Sequence, residues 1–396
     1  MIYLDSAATS FLKPPGVKAA MMQAMNTMSS PGRGAYNAAM LAADKVYECR
    51  ELACRLFNFD KPERVVFTLN ATHALNIAIK SLARRETRVV ISGYEHNSVT
   101  RPLHDISADV SVAAGELFDP DSVLAAFEEK IPGADLVVCN HVSNVFGFIQ
   151  PVYEIAEMCS RFGVPLVIDA SQSAGIEDLD AERLNADFIA MPGHKGLLGP
   201  QGTGILLCKT LPAPLMSGGT GSESIIQSMP EYLPDRAEAG THNVVGISGL
   251  CEGIKYVLGK GVNKIGSYEA ELCGTAAERL SRVPSLEVFR GKAGVQAGVL
   301  SFRHTSIDCE NFCEKLGSRG IAARCGLHCA PLAHNTAGTD KTGTVRISFS
   351  PFTQRRQVIH ACTVIEKIDQ KDRRAHRRRQ LHRRGKARCV LQRTRG

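Results

Sequence analysis

No apolar run in the sequence approaches the roughly 18 to 20 residues needed to cross a bilayer. The first residues, MIYLDSAATSFLKPP, bring in Asp5 early and show no basic segment followed by an apolar core. These absences argue against a membrane span and a secretory signal, and the expectation is a cytoplasmic protein. Repeated Cys-x-x-Cys spacing is also missing, since Cys309 and Cys313 are separated by three residues, as are Cys325 and Cys329. No metal site is expected from that pattern. In a reducing compartment the thirteen cysteines need not pair, and most should be small buried apolar residues. No internal repeat is present.

Basic charge is scarce outside one end of the chain. The net charge of +7 resolves into +10 over residues 369–396, with ten Arg and two Lys against two Asp, and −3 over the other 368 residues. The body is therefore mildly acidic. The basic segment has almost no apolar periodicity, so it is expected to be a disordered tail. A nucleic-acid arm is its functional reading, but a solvated appendage is favoured, and nucleic acid is not an expected partner.

What is present is a regular alternation. Short, nearly continuous apolar runs (RVVFTL, RVVISGY, ADLVVCNHV, PLVIDAS, DFIAMPG, GTGILLC) are separated by amphipathic stretches such as THALNIAIKSLARR and PVYEIAEMCSRFG. Runs of that length without polar alternation fit strands covered on both faces. The predicted class is α/β, with a mainly parallel central sheet, helices on both faces and a smaller α+β C-terminal domain. We divide the chain into an N-terminal arm (1–15), a large domain (16–245), a small domain carrying the cysteine segment (246–368) and the tail (369–396).

Ligands of such sheets collect at the carboxyl ends of the strands. Those ends carry NATH (70–73), GYEHNS (93–98), NHVSN (140–144), IDASQS (168–173) and MPGHKG (191–196). Lys195, after an apolar strand and among glycines, is placed for partial desolvation, which frees its amine for a Schiff base. Asp169 reads either as a helix N-cap or as the carboxylate that keeps a pyridine nitrogen protonated. His96 can stack on an aromatic cofactor, and Thr72 and His194 can bind a phosphate at a helix start.

The motifs YLDSAAT, FTLNATHALN, EHNS, HVSN, IDASQ, GHKGLLGPQGTG, EAGTHN and RCGLHCAPL with GTVRIS stand in an order that resembles the cysteine desulfurase and selenocysteine lyase family. That family is the class V branch of fold-type I pyridoxal phosphate (PLP) enzymes, and the resemblance runs from Met1 to about Ile368. It implies PLP as cofactor, held by Lys195, with Asp169 on the pyridine nitrogen, His96 on the ring and Gln172 on the phenolic oxygen. Ala71, Thr72 and His194 match phosphate ligands. Thr241 matches a residue that reaches the neighbouring subunit's phosphate, which implies a homodimer with shared active sites. Arg346 matches the clamp for the substrate carboxylate, Asn144 a residue beside it, and Arg33 an arginine at the entrance.

The same resemblance implies conversion of L-cysteine to L-alanine with a persulfide on Cys329, passed to a sulfur-acceptor protein. The alternatives are a selenocysteine lyase acting on L-selenocysteine, or a class V aminotransferase or lyase acting on another small amino acid. His328 and His334 are expected to help ionise Cys329; Cys325 is left as a packing or redox-sensitive neighbour. Three positions depart from the family pattern: Pro192, where a hydroxyl residue is usual, His242, where proline is common, and the arginines of SFSPFTQRRQV. The loss of the hydroxyl at Pro192 calls for other phosphate donors, for which SGGTGS (217–222) is a candidate.

Overall fold

The computed structural model describes residues 1–32 and 34–393, with side chains described to Arg374, so Arg33 lies outside the described residues. Strand β1 (Ile2–Tyr3) precedes helices α1 (Pro15–Thr27) and α2 (Asn37–Phe57). Then follow β2 (Val65–Thr68), α3 (Ala71–Leu82), β3 (Arg88–Ser92), α4 (Asn97–Asp105), β4 (Asp109–Ala113), α5 (Pro120–Lys130), β5 (Leu136–Asn140), α6 (Val152–Phe162), β6 (Leu166–Asp169), α7 (Ala181–Leu184), β7 (Phe188–Pro192) and β8 (Gly204–Cys208). Helices α8 (Val244–Lys260) and α9 (Val262–Leu280) lead to β9 (Leu286–Phe289), β10 (Val299–His304), α10 (Cys309–Gly317), β11 (Ile321–Ala322), β12 (Arg324–Gly326), α11 (Pro331–Thr336), β13 (Thr344–Ser348) and α12 (Arg355–Arg393).

The large sheet has the order β2-β8-β7-β6-β5-β3-β4, and β8 alone runs against its neighbours. Strands β5 to β8 are buried along their whole length, the physical reason their sequences show apolar runs rather than alternation. The edge strand β4 lacks such a run because Asp109, Val110 and Ser111 are exposed, and the apolar-run signal does not reveal it. A second, antiparallel sheet, β12-β13-β10-β9, has its own core of Phe302, Phe312, Val345, Ile347 and Ile365.

The arm joins the small domain. Strand β1 pairs with β11 in parallel, and Leu4 is wholly buried in the small core. The boundary expected at 245/246 falls inside α8, whose Ile247, Leu250 and Ile254 pack into the large core against α1 and α2. The expectation of a tail from residue 369 also meets a different arrangement. Asp369 is 1% exposed and sits 3.4 Å from His304 Nε2, while Ser306 Oγ donates to Asp372 at 2.7 Å. Helix α12 is launched from a packed segment in which Val358, Ala361, Cys362, Ile365 and Ile368 are buried, and it continues to Arg393. Once a helix is nucleated, each further residue adds a hydrogen bond, so a polar extension needs no core of its own. Among the described residues no helix is long and apolar enough to cross a membrane.

Candidate active site

The carboxyl ends of β2, β3, β5, β6 and β7 converge on a cavity lined by Ala71, Thr72, His96, Ser98, Asn144, Asp169, Gln172, Pro192, His194 and Lys195. Eight of the sequence-predicted residues thus share one space. A larger cavity lies elsewhere, between the end of α2 and α7, and contains none of them.

Each side chain is held by local structure. Asn70 caps α3 by accepting from His73 N at 2.9 Å. The N–H groups of Ala71 and Thr72 have no acceptor among the described residues, which leaves an anion cradle at the helix start. Strand β8 approaches that turn so closely that a Cβ on Gly204 would lie 2.6 Å from Thr68 Oγ1 and 2.8 Å from the Asn70 carbonyl carbon. Glycine is what allows the helix start to sit at the sheet.

His96 caps α4, its Nδ1 accepting from Ser98 N at 3.0 Å and lying 2.9 Å from Ser98 Oγ. Burial first, then the charges of Lys195 and Arg346, push its pKa down to about 4, so the ring is neutral. Asp169 ends β6 and accepts from Ser171 N at 2.9 Å through Oδ1; no helix starts there, so the N-cap reading is replaced by a carboxylate whose Oδ2 takes no donor among the described residues. Gln172 Nε2 donates to the Ala7 carbonyl at 3.0 Å. His194 is fixed through its Nδ1 to Thr9 Oγ1 at 3.0 Å, and burial pushes its pKa to about 4.

Lys195 follows β7 with an amine that makes no hydrogen bond among the described residues. Burial lowers its pKa to about 8, opposed by Asp169 and reinforced by Arg346 and Arg324. Arg346 lies on β13, 2% exposed. Its Nη1 donates to the Asn144 carbonyl at 2.8 Å and its Nη2 to Asp5 Oδ1 at 2.9 Å, whereas the buried Nε has no partner. The buried Asn144 Oδ1 is also unpartnered. Two orphaned polar atoms, one cationic, mark where an amino-acid carboxylate and its neighbours can bind.

Cys329 sits exposed in the turn after β12, in left-handed backbone at φ 56, with His328 before it at φ 50. The turn is tied to the cavity from both sides: Asn97 N donates to the Cys329 carbonyl at 2.8 Å, and Asn144 Nδ2 donates to the His328 carbonyl at 2.8 Å. The expected help from the histidines does not materialise as positive charge. Burial, with Arg346 and His334 next, pushes His328 down to about 2, and burial pushes His334 to about 4, so both rings are neutral. His328 Nε2 instead meets Thr344 Oγ1 at 3.1 Å, inside the small domain. Thr241 is not brought to the Lys195 cavity; it borders a separate one with Leu69, His73 and Met216.

Residues 2–360 match the family described as aminotransferase class-V. The chain belongs to that family. A probable cysteine desulfurase from Methanothermobacter thermautotrophicus is 32% identical over 93% of this chain and 94% of its own, and a cysteine desulfurase from Escherichia coli O157:H7 is 29% identical over 93% of each. The apo structure of a cysteine desulfurase from Thermococcus onnurineus NA1 superposes with a TM-score of 0.84 at 30% identity, covering 93% of this chain and 95% of that one. The E. coli cysteine desulfurase CsdA gives 0.80 at 25% identity, over 92% and 94%. The cysteine desulfurase branch of the class-V family, expected from the motifs, is thus where this chain belongs.

Class-V enzymes generally depend on PLP, and the cavity fits that group: an amide cradle for the phosphate, a carboxylate with a free oxygen, a neutral imidazole and a desolvated amine. Three residues of this class-V site escaped the sequence reading. Ser98 Oγ lies 2.8 Å from Thr72 Oγ1 and adds a hydroxyl beside that helix start, whereas SGGTGS does not line the cavity. Pro192 is free to end β7 opposite Gly204. Glu95, wholly buried behind Asp169, is pushed up to about 8 by burial, and its Oε1 accepts from Ser92 Oγ at 2.5 Å and Asn140 N at 2.8 Å. Asp5 is the third. Ser98 and Glu95 stand in the motif that gave His96, but nothing in their spacing separates a ligand from a capping residue. His242 also gains an account, since its Nε2 lies 2.6 Å from Glu238 Oε2, which pairs with Arg50 at 2.7 Å.

Proposed function

We propose that this class-V protein is a PLP-dependent L-cysteine desulfurase that forms L-alanine and a persulfide on Cys329. The observation that carries the reading is that the turn bearing the exposed Cys329 is hydrogen-bonded to Asn97 and Asn144 at the mouth of the Lys195 cavity, beside a buried guanidinium with a free Nε.

Bound PLP would supply an electron sink for the carbanion formed at the substrate's α-carbon. The phosphate would rest on the Ala71 and Thr72 amides, the Thr72 and Ser98 hydroxyls and His194; Asp169 would keep the ring nitrogen protonated, His96 would cover the ring and Gln172 would donate to the phenolic oxygen. Arg346 binds the substrate carboxylate through Nε, steadied by Asp5 and the Asn144 carbonyl. Lys195, whose lowered pKa leaves a usable fraction of free amine near neutrality, removes the α-proton and returns protons to the product. Cys329 attacks as the thiolate: its Sγ bonds the substrate sulfur, the carbon–sulfur bond breaks, and that electron pair stays on the carbon skeleton to be protonated to alanine.

The reading includes a homodimer. Exposed apolar side chains, including Met22, Met25, Met40, Tyr47 and Leu69, support it, and Thr241, which does not line its own chain's Lys195 cavity, would then serve the partner's phosphate. The persulfide would pass to the thiol of an acceptor protein. Anaerobic incubation of the PLP-loaded protein with L-cysteine should yield alanine and a mass increase of one sulfur on the peptide containing Cys329. Transfer of the amino group to a keto acid with no sulfur on Cys329 would establish an aminotransferase instead.

A further inference from the structure

Outside the active site, three partly exposed cysteines meet where helix α10 packs on strand β12. Cys309 and Cys313 stand one turn apart on α10. The strand register decides which way Cys325 faces. Across the antiparallel β12–β13 pair, Arg324 stands opposite Arg346 and Cys325 opposite Val345. Arg346 points into the active site and Val345 into the small core, so Cys325 points away from the site, toward α10. There it faces the helix that carries Cys309 and Cys313, with Cys313 as its neighbouring thiol.

We propose that Cys313 and Cys325 are a redox site, closing to a disulfide when the protein meets a hydroperoxide. The half-buried Cys325 thiol attacks the peroxide: its sulfur takes one oxygen, the O–O bond breaks and an alcohol or water leaves, giving a sulfenic acid. The Cys313 sulfur then displaces water from that sulfenic acid, forming the S–S bond; two thiols lose two hydrogens and the peroxide gains them. Cys313 suits the resolving role, because burial and the neighbouring Cys325 hold its proton on and keep it from being the first to react. The bond would form on the sheet face opposite Arg346, so the Lys195 cavity is untouched. It anchors β12, which ends at Gly326, three residues before Cys329, to the helix beneath it.

The test is independent of the proposed desulfurase activity. Full-length protein, purified anaerobically with its cofactor, is titrated with hydrogen peroxide until Cys329 is oxidised, then alkylated and digested without reductant. The expected result is a Cys313–Cys325 linked peptide lighter by two hydrogens, with alkylation at both positions lost and then restored by dithiothreitol. In Cys313→Ser the link disappears and dimedone captures a sulfenic acid on Cys325. Both thiols remaining open to alkylation after Cys329 is oxidised would overturn the proposal, as would a bond joining Cys325 to Cys309 or Cys329 instead.

Discussion

Asp5 Oδ1 accepts from Arg346 Nη2 across 2.9 Å, so the arm that opens the chain holds the guanidinium of its last strand. Arg346 is nearly inaccessible, and removing its carboxylate partner leaves a buried charge with one hydrogen bond fewer. Discounting for the partial exposure of Asp5, the Asp5→Ala variant should lose about 1–3 kcal/mol of stability, read as a lower urea midpoint. Added L-alanine, whose carboxylate can take the vacated position, should recover part of that loss in the variant and less in the parent.

The lowered pKa of Lys195 sets a pH dependence. Below about 8 the amine is protonated and cannot accept the α-proton; above it the free base is present. kcat, which reports groups in the substrate complex, should therefore rise with pH through a limb near 8, falling roughly tenfold per unit below it. A kcat that stays flat from pH 6 to 9 would remove Lys195 from that step.

Cys329→Ala should reduce sulfide formation from L-cysteine by about a hundredfold or more, since among the described residues no other thiol lies in the turn tied to Asn97 and Asn144. Selenide leaves more readily than sulfide, so release from L-selenocysteine should be much less affected. Unimpaired sulfide release would exclude Cys329 as the nucleophile.

Ser98→Ala tests the proposal that this hydroxyl binds the phosphate in place of the one missing at Pro192. Loss of a hydrogen bond to a phosphate weakens binding by about tenfold or more, so the PLP dissociation constant measured by absorbance titration should rise accordingly. Because Ser98 also fixes His96, its absorption spectrum should shift as well.

Two truncations test where the small domain ends. A chain ending at Ile368 loses Asp369, which faces His304 Nε2, and Asp372, which accepts from Ser306 Oγ; it should lose about 1–3 kcal/mol by denaturant titration. A chain ending at Arg374 keeps those contacts and should match the full chain in midpoint.

The fold class was legible because parallel strands covered on both faces are written as apolar runs, and the polar residues after Thr68, Ser92, Asn140, Asp169 and Pro192 pointed to one crevice. What the pattern hid had local causes. Strand β4 is half-exposed, α8 straddles an apparent boundary, and Asp369 opens a charged stretch yet is buried by His304. The burial of His328 and His334 was not legible either, because proximity in sequence to Cys329 says nothing about burial, and burial is what keeps both rings neutral.

By itself the sequence determined the elements, the strand-end motifs and the family, because periodicity and short-range spacing are properties of neighbours along the chain. Only the tertiary structure decided how Asp5 meets Arg346 across 341 positions, that Cys325 of the RCGLHC segment turns toward a helix, and which ionisable groups lose their solvent. Strand register sends alternate side chains to opposite faces, and desolvation depends on everything packed around a group. Neither is fixed until the distant parts of the chain have come together.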